Sequence, residues 1–311
     1  MAGRLVDLGY ALGWAIVKRL PERLARAAFR LIADVLWRRR GRSVGRLEAN
    51  LGRVLGPSAS PDRLRELSRR GMRSYLRYWC EVFRLPRWSP ADVERRTALH
   101  DEHILFDGIA AGRGVIAVLP HMGNWDQAGA WIAGRGVRIT TVVERLRPES
   151  LFDRFVAYRE SLGMEVLPLT GGAASVFSTL AARLRGGGLV CLLGDRDLTA
   201  SGIEVEFFGE PARLPGGPAA LALATGAALM PATLWYEDDR LHIRMHPLIE
   251  PPGGADRRSR TAAMTRQVAA VFEKAIARHP EDWHMLQRVW AGDLPHAAGG
   301  AAGTAQTRGV A

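Results

Sequence analysis

Hydrophobic and polar positions divide the chain into two regimes. Residues 1–95 read as amphipathic helices, broken at Pro21, Gly41, Gly56-Pro57 and Pro86. Beyond residue 100 the pattern changes to short apolar, β-branched runs alternating with helical stretches. Runs at 114–119, 138–143, 165–169, 189–193, 204–208, 229–236 and 241–245 have the length and composition of strands. Such alternation predicts an α/β core with a mostly parallel central sheet flanked by helices. Pro251-Pro-Gly-Gly breaks the pattern, and one more amphipathic helix is expected over 257–278. The division expected is an N-terminal helical region at 1–95, an α/β core at 96–295 and a Gly/Ala-rich tail at 296–311 without apolar period, read as disordered.

The first strand run carries the chemistry. Val115 to Leu119 reads as a buried parallel strand, ended by Pro120 and Gly123, with Asn124 placed to cap a helix starting near Trp125. His121 then stands at the carboxyl end of a strand, where open α/β sheets place their ligands. Asp126 follows five positions later and is close enough in sequence to reach back to the imidazole. There it is expected to fix the tautomer and support the imidazolium formed when His121 accepts a proton. A second segment, Leu193-Gly-Asp195-Arg196-Asp197, also follows an apolar strand and places charged groups at its end.

Three local matches lack their structural context. Gly41-Arg-Ser43-Val-Gly45 imitates the elbow of serine hydrolases, but a basic helical stretch precedes it instead of a strand. Gly112-Arg-Gly114 comes before its strand, so it aims no helix N-terminus at a pyrophosphate. His100-Asp-Glu-His103 lacks the spacing of a zinc site and reads as a solvated helix or loop.

Taken in order, Pro120-His-Met-Gly-Asn-Trp-Asp126, the acidic–aromatic run Asp195 to Glu210, Arg213-Leu-Pro-Gly-Gly-Pro218 and Asp282-Trp-His-Met-Leu-Gln287 resemble the H-x4-D/E lysophospholipid-type acyltransferases. The segment from Val142 to Gly163 matches as well, and the resemblance runs from about residue 5 to residue 295. It is strongest to the branch of bacterial lipid A and actinobacterial phosphatidylinositol mannoside acyltransferases, with wording closer to the mannoside enzymes. The resemblance implies an O-acyltransferase in which His121 is the general base, and in which an acidic residue at Asp195 completes a relay with it. Relatives carry a glutamate there, one methylene longer. It also implies that Glu144, Arg159 and Arg196 bind the acceptor head group or its phosphate, a role suited to the arginine fork. Read from the residues alone, Arg159 is equally a neighbour of Glu160 on a solvated helix. His284 could contact the site or simply pack.

Charge distribution adds a partner. Residues 1–100 hold 22 of the 43 Lys and Arg but only 9 of the 32 Asp and Glu. The net charge of +11 therefore originates entirely in this first third. Interleaved with Trp14, Phe29, Trp37, Tyr75, Trp79 and Phe83, this suits the surface of an anionic membrane. A nucleic-acid surface would be the competing reading, but no zinc pattern, aromatic RNA-binding motif or helix-turn-helix accompanies the patch. No run reaches the roughly 18 apolar residues of a membrane span, and the N-terminal run is followed by no small-residue cleavage site. Peripheral attachment at the cytoplasmic face of the plasma membrane is expected. Cys80 and Cys191 suggest neither a disulfide framework nor a zinc site, and Cys191, inside an apolar strand, reads as a small core residue.

The expected reaction moves a long acyl chain, palmitoyl in the preferred reading, from acyl-CoA to a mannose hydroxyl of phosphatidylinositol mannoside. It needs no metal, prosthetic group or acyl-enzyme nucleophile, since a thioester is already activated. The alternatives are a lipid A-type late acyltransferase using acyl carrier protein and a non-catalytic lipid-binding protein at the membrane surface.

Overall fold

The computed structural model describes residues 13–14, 16–145, 149–169, 175–197, 202–254 and 256–293. The 296–311 tail and residues 198–201 of the acidic segment lie outside them. The N-terminal region forms α1 (Glu22–Arg38), α2 (Arg42–Leu55), α3 (Pro61–Arg84) and α4 (Pro90–Arg95). Ser60 caps α3 through its side chain, with Pro61 at the first helical position. Ser43, from the imitation hydrolase motif, lies inside α2. Asp34 on α1 accepts paired hydrogen bonds from Arg69 and Arg73 of α3, at 2.6–3.0 Å, and these two guanidinium groups hold its carboxyl far below the usual carboxylate range.

The core is a seven-stranded sheet in the order β1-β9-β8-β2-β5-β3-β4, parallel except where β9 runs against β8. Its strands are β1 (Thr97–His100), β2 (Val115–Leu119), β3 (Ile139–Val143), β4 (Met164–Pro168), β5 (Leu189–Leu193), β8 (Ala228–Glu237) and β9 (Arg240–Met245). Each face is covered, as a parallel sheet requires. Along β2 the odd positions Val115, Ala117 and Leu119 join one apolar cluster, and Ile116 and Val118 join the other. The first cluster lies under α5 (His103–Ala110), α6 (Trp125–Ala133) and α7 (Glu149–Ser161), and it also takes in Tyr78, Val82 and Trp14 from the N-terminal region. The second lies under α8 (Val176–Arg185), α9 (Gly217–Thr225) and α10 (Arg257–Arg278).

The α/β architecture and the seven strand runs are found as expected, with ends moved by one residue in most. Three details differ. The run at 204–208 is β6 (Ile203–Phe207), which pairs with the unexpected β7 (Glu210–Leu214) in a separate antiparallel hairpin. Pro211 and the charged Glu210 and Arg213 hide the alternation of β7. Thr97–His100 is β1, so His100 is not in a solvated loop: it stacks on Trp235 at 5.2 Å and shares a 3.0 Å hydrogen bond with His242. Cys191 lines a cavity instead of packing away as a small core residue.

Candidate active site

β2 delivers His121, and β5 delivers its partner. The two strands pair in parallel with Leu119 opposite Leu193, so the residues two beyond each strand end, His121 and Asp195, face one another. Each connection is forced tight. Gly123 turns the chain at φ +56°, and a Cβ there would lie 2.9 Å from Leu234 Cβ. At Gly194 a Cβ would collide with Val118, and its N–H reaches Leu119 O at 2.8 Å. Asn124 caps α6 as expected, accepting the Gln127 N–H at 3.0 Å.

Asp195 is fully buried. One carboxylate oxygen meets His121 Nδ1 at 2.6 Å, and the other accepts the His121 backbone N–H at 2.9 Å and the Trp283 indole N–H at 2.8 Å. Burial works to raise its pKa. The neighbouring His121 charge and these hydrogen bonds outweigh it, so the group stays below the usual carboxylate value. An ionised carboxylate can only accept, which puts the neutral imidazole's proton on Nδ1 and leaves the Nε2 lone pair for chemistry.

The expectation that Asp126 holds Nδ1–H is therefore corrected: Asp195 occupies that place. Asp126, in the first turn of α6, is directed away from the imidazole. It accepts from Arg159 Nε at 2.6 Å and Nη2 at 3.3 Å, and from the Tyr78 hydroxyl at 2.9 Å. Arg159, read as a head-group ligand or a solvated surface residue, is not on a solvated surface: it pairs with Asp126 in the wall of the cavity onto which His121 opens. It is nearly buried, and although burial opposes its charge, the Asp126 carboxylate raises its pKa further. The pair ties α6 to α7 and, through Tyr78, to α3. Asp126→Asn would strand a buried guanidinium, and we expect a loss of about 3–5 kcal/mol in unfolding free energy, read from the denaturant midpoint. The pH dependence of the surviving activity should keep its position, because Asp195 still orients His121; a displaced acid limb would contradict this arrangement.

His121 opens onto a cavity of about 340 Å³ running between the sheet and α6. Ala117, Leu119, Ala128, Gly129 and Met230 give it apolar walls, and Glu144, Arg196 and Gln287 stand among its polar lining. Arg196 Nη2 lies 3.9 Å from Glu144 Oε2. Burial lowers the Arg196 pKa against the opposing pull of Asp195 and Glu144. Cys191 also lines the cavity, but burial pushes its thiol up to about 12, so it supplies no thiolate nucleophile at neutral pH.

Behind this wall lie His284, left open in sequence as a site contact or a packing residue, and Ser74 and Asp282, which the sequence reading missed. The His284 backbone N–H donates to His121 O at 2.7 Å. Its ring is buried, shares a 2.9 Å hydrogen bond through Nε2 with Ser74, and is held neutral by burial and the nearby His121, its pKa lowered to about 3. Ser74 also donates to Asp282 at 2.5 Å, whose burial raises it to about 7. The sequence signal for Asp282 was its place in the block ending at Gln287, and Ser74 carried none.

Comparison with known proteins shows the family. The family described as bacterial lipid A biosynthesis acyltransferase matches residues 3–291. Among curated relatives, the phosphatidylinositol mannoside acyltransferase of Mycolicibacterium smegmatis is 45% identical over 296 residues, covering 94% of each chain. That of Mycobacterium tuberculosis is 47% identical over 292 residues, covering 93% of this chain and 89% of its own.

Proposed function

The chain belongs to the bacterial lipid A biosynthesis acyltransferase family and is an acyltransferase, and we propose that it transfers a long acyl chain, palmitoyl in our reading, from acyl-CoA to a mannose hydroxyl of phosphatidylinositol mannoside. The observation that carries the reading is an Asp-held histidine at the mouth of an apolar cavity. The acyl chain occupies that cavity, which places the thioester carbonyl beside His121. Nε2 takes the proton of the acceptor hydroxyl as its oxygen attacks the carbonyl carbon, and Asp195 supports the imidazolium. When the carbon–sulfur bond breaks, the same proton passes to the leaving thiolate. Each step uses groups of the chain and the two substrates, so the proposal calls for no metal or prosthetic group.

Arg196 and Glu144 are the groups we assign to the head group of the acceptor. Arg159 also lines the cavity, with its guanidinium engaged by Asp126, and stays a third candidate for that contact. The test is an assay of purified protein with palmitoyl-CoA and palmitoyl-acyl carrier protein, each against phosphatidylinositol mannoside and a lipid A precursor. Transfer to the mannoside from CoA supports the reading. Transfer only from carrier protein to the lipid A precursor replaces it with the late-acyltransferase alternative, and absence of turnover on every pair rules out both substrate assignments.

We further propose that the enzyme works as a peripheral protein on an anionic membrane, at the cytoplasmic face. Among the described residues, no helix is long and apolar enough to cross a membrane. The outward side of α1 exposes Leu24, Leu31, Ile32 and Leu36, with exposed Arg23 and Arg30 alongside. Apolar side chains that insert beside cations fit an anionic interface. Leu31→Ser with Ile32→Ser should weaken binding to anionic vesicles by about tenfold or more, measured by flotation. Unchanged binding would remove α1 from the membrane contact. Substitution is preferable to truncation here, because Trp14 packs on Phe83 and Tyr158 and belongs to the core.

A further inference from the structure

The segment after α10 clamps the His121 turn. Asp282 O accepts from the Gly123 N–H at 3.0 Å, Met122 forms an antiparallel bridge with Trp283, and His284 N–H reaches His121 O. Trp283 sits at the centre of this clamp with no exposed surface. Its ring packs edge-on to Phe207 and Trp290, with centroids 6.1 Å away in both cases. A tryptophan in an apolar core needs one acceptor for its N–H, and any backbone carbonyl would serve, as Phe207 O does for Trp290. Trp283 instead spends its N–H on the carboxylate that faces His121.

We propose that Trp283 is a positioning residue of the acyl-transfer reaction: its indole N–H joins the His121 backbone N–H on the second oxygen of Asp195 and draws off part of the carboxylate charge that His121 would otherwise feel. The inference rests on the reading of His121 as the base. Of the three donors to this carboxylate, two belong to His121 itself, and the indole is the one that holds it from outside the residue it orients. It ties the plane of the carboxylate, and with it the direction of the imidazole, to the buried clamp. Each donor also shares the negative charge, so the pull on an imidazolium is weaker than that of a bare carboxylate.

Other charged or titratable groups around the pair stay in place when the indole changes. They are Arg196 beside Asp195, Glu144 beyond it, the neutral ring of His284, Asp282 on the clamp itself, and the Asp126–Arg159 pair in the cavity wall. Removing the indole N–H therefore has a defined sign. More charge is left for His121, its imidazolium is favoured, and the base becomes protonated at a higher pH.

Trp283→Phe keeps an aromatic ring and deletes the donor. We expect the acid limb of kcat/KM to move up by roughly half to one pH unit and the plateau to fall about tenfold. NMR titration of the His121 ring should show the same upward move, and it reads the inference whether or not the protein turns over the proposed substrates. In an Asp195→Asn background the Trp283→Phe change should add no shift. A second measurement needs no substitution: in the unaltered protein the Trp283 indole proton resonance should titrate together with His121. A plateau loss with the limb in place, a shift that persists in the Asp195→Asn background, or an indole resonance indifferent to the His121 titration would each reduce Trp283 to a packing residue.

Discussion

Replacing His121 with alanine should lower turnover by about 10²–10⁴-fold, the span typical for loss of a general base, while long-chain acyl-CoA should still bind. The two halves of this result have separate origins. Binding comes from the apolar walls formed by Ala117, Leu119, Ala128 and Met230, none of which depends on the imidazole. Turnover depends on Nε2, because an alcohol with its proton in place is a poor nucleophile even toward a thioester, and the other buried imidazole nearby cannot substitute. His284 has its Nε2 committed to Ser74 and is held neutral, far below the range in which it could store a proton. Steady-state kinetics with equilibrium binding of a non-hydrolysable acyl-CoA analogue would check both halves. Retention of more than about a tenth of the activity would remove His121 from the mechanism.

Asp195→Asn should be comparably severe, near the 10⁴-fold end of the loss known for a wrong histidine tautomer, although it changes one oxygen to nitrogen. Two N–H donors, from His121 and Trp283, converge on the same carboxylate oxygen. An asparagine must present its carbonyl there, which turns its NH₂ toward Nδ1. Nδ1 then has to accept, so the neutral imidazole carries its proton on Nε2 and has no lone pair to offer the alcohol. The tautomer can be read directly from ring ¹⁵N shifts. Near-normal activity, or an Nδ1-protonated ring in the variant, would show that Asp195 does not set the proton's place. Slow hydrolysis of acyl-CoA by water should fall in parallel, since it draws on the same lone pair.

What the sequence made legible was local. The run Val115 to Leu119, its stop at Pro120, the turn at Gly123 and the cap at Asn124 are all written within ten residues, and the structure follows them closely. The placement of Asp195 beside His121 is not local. It follows from which strand lies next to β2 and in which register, and neither is encoded in the apolar pattern of either run. Sequence proximity therefore favoured Asp126, five residues away, over Asp195, seventy-four residues away. The helix geometry after Gly123 then sends Asp126 to Arg159 and Tyr78. Trp283 was invisible as a site residue for the same reason. A buried tryptophan looks like core in any pattern, and only its N–H partner distinguishes it. β7 escaped notice because its outward positions carry charges and a proline at the start of a two-stranded hairpin.

The register of β2 on β5 also has a consequence in time. His121 and Asp195 hang from paired strand ends by two-residue tethers, with no loop long enough to bring them together on its own. Parallel neighbours separated by more than seventy residues close late, because the entropy of a long loop is lost before the pairing returns anything. If His121 is the base, the ability to abstract a proton should be acquired only when the central strands have paired. Recovery of activity during refolding would serve as a clock for the last step of sheet assembly. A single-residue insertion after Leu119 or Leu193 should silence the protein even where the sheet still forms.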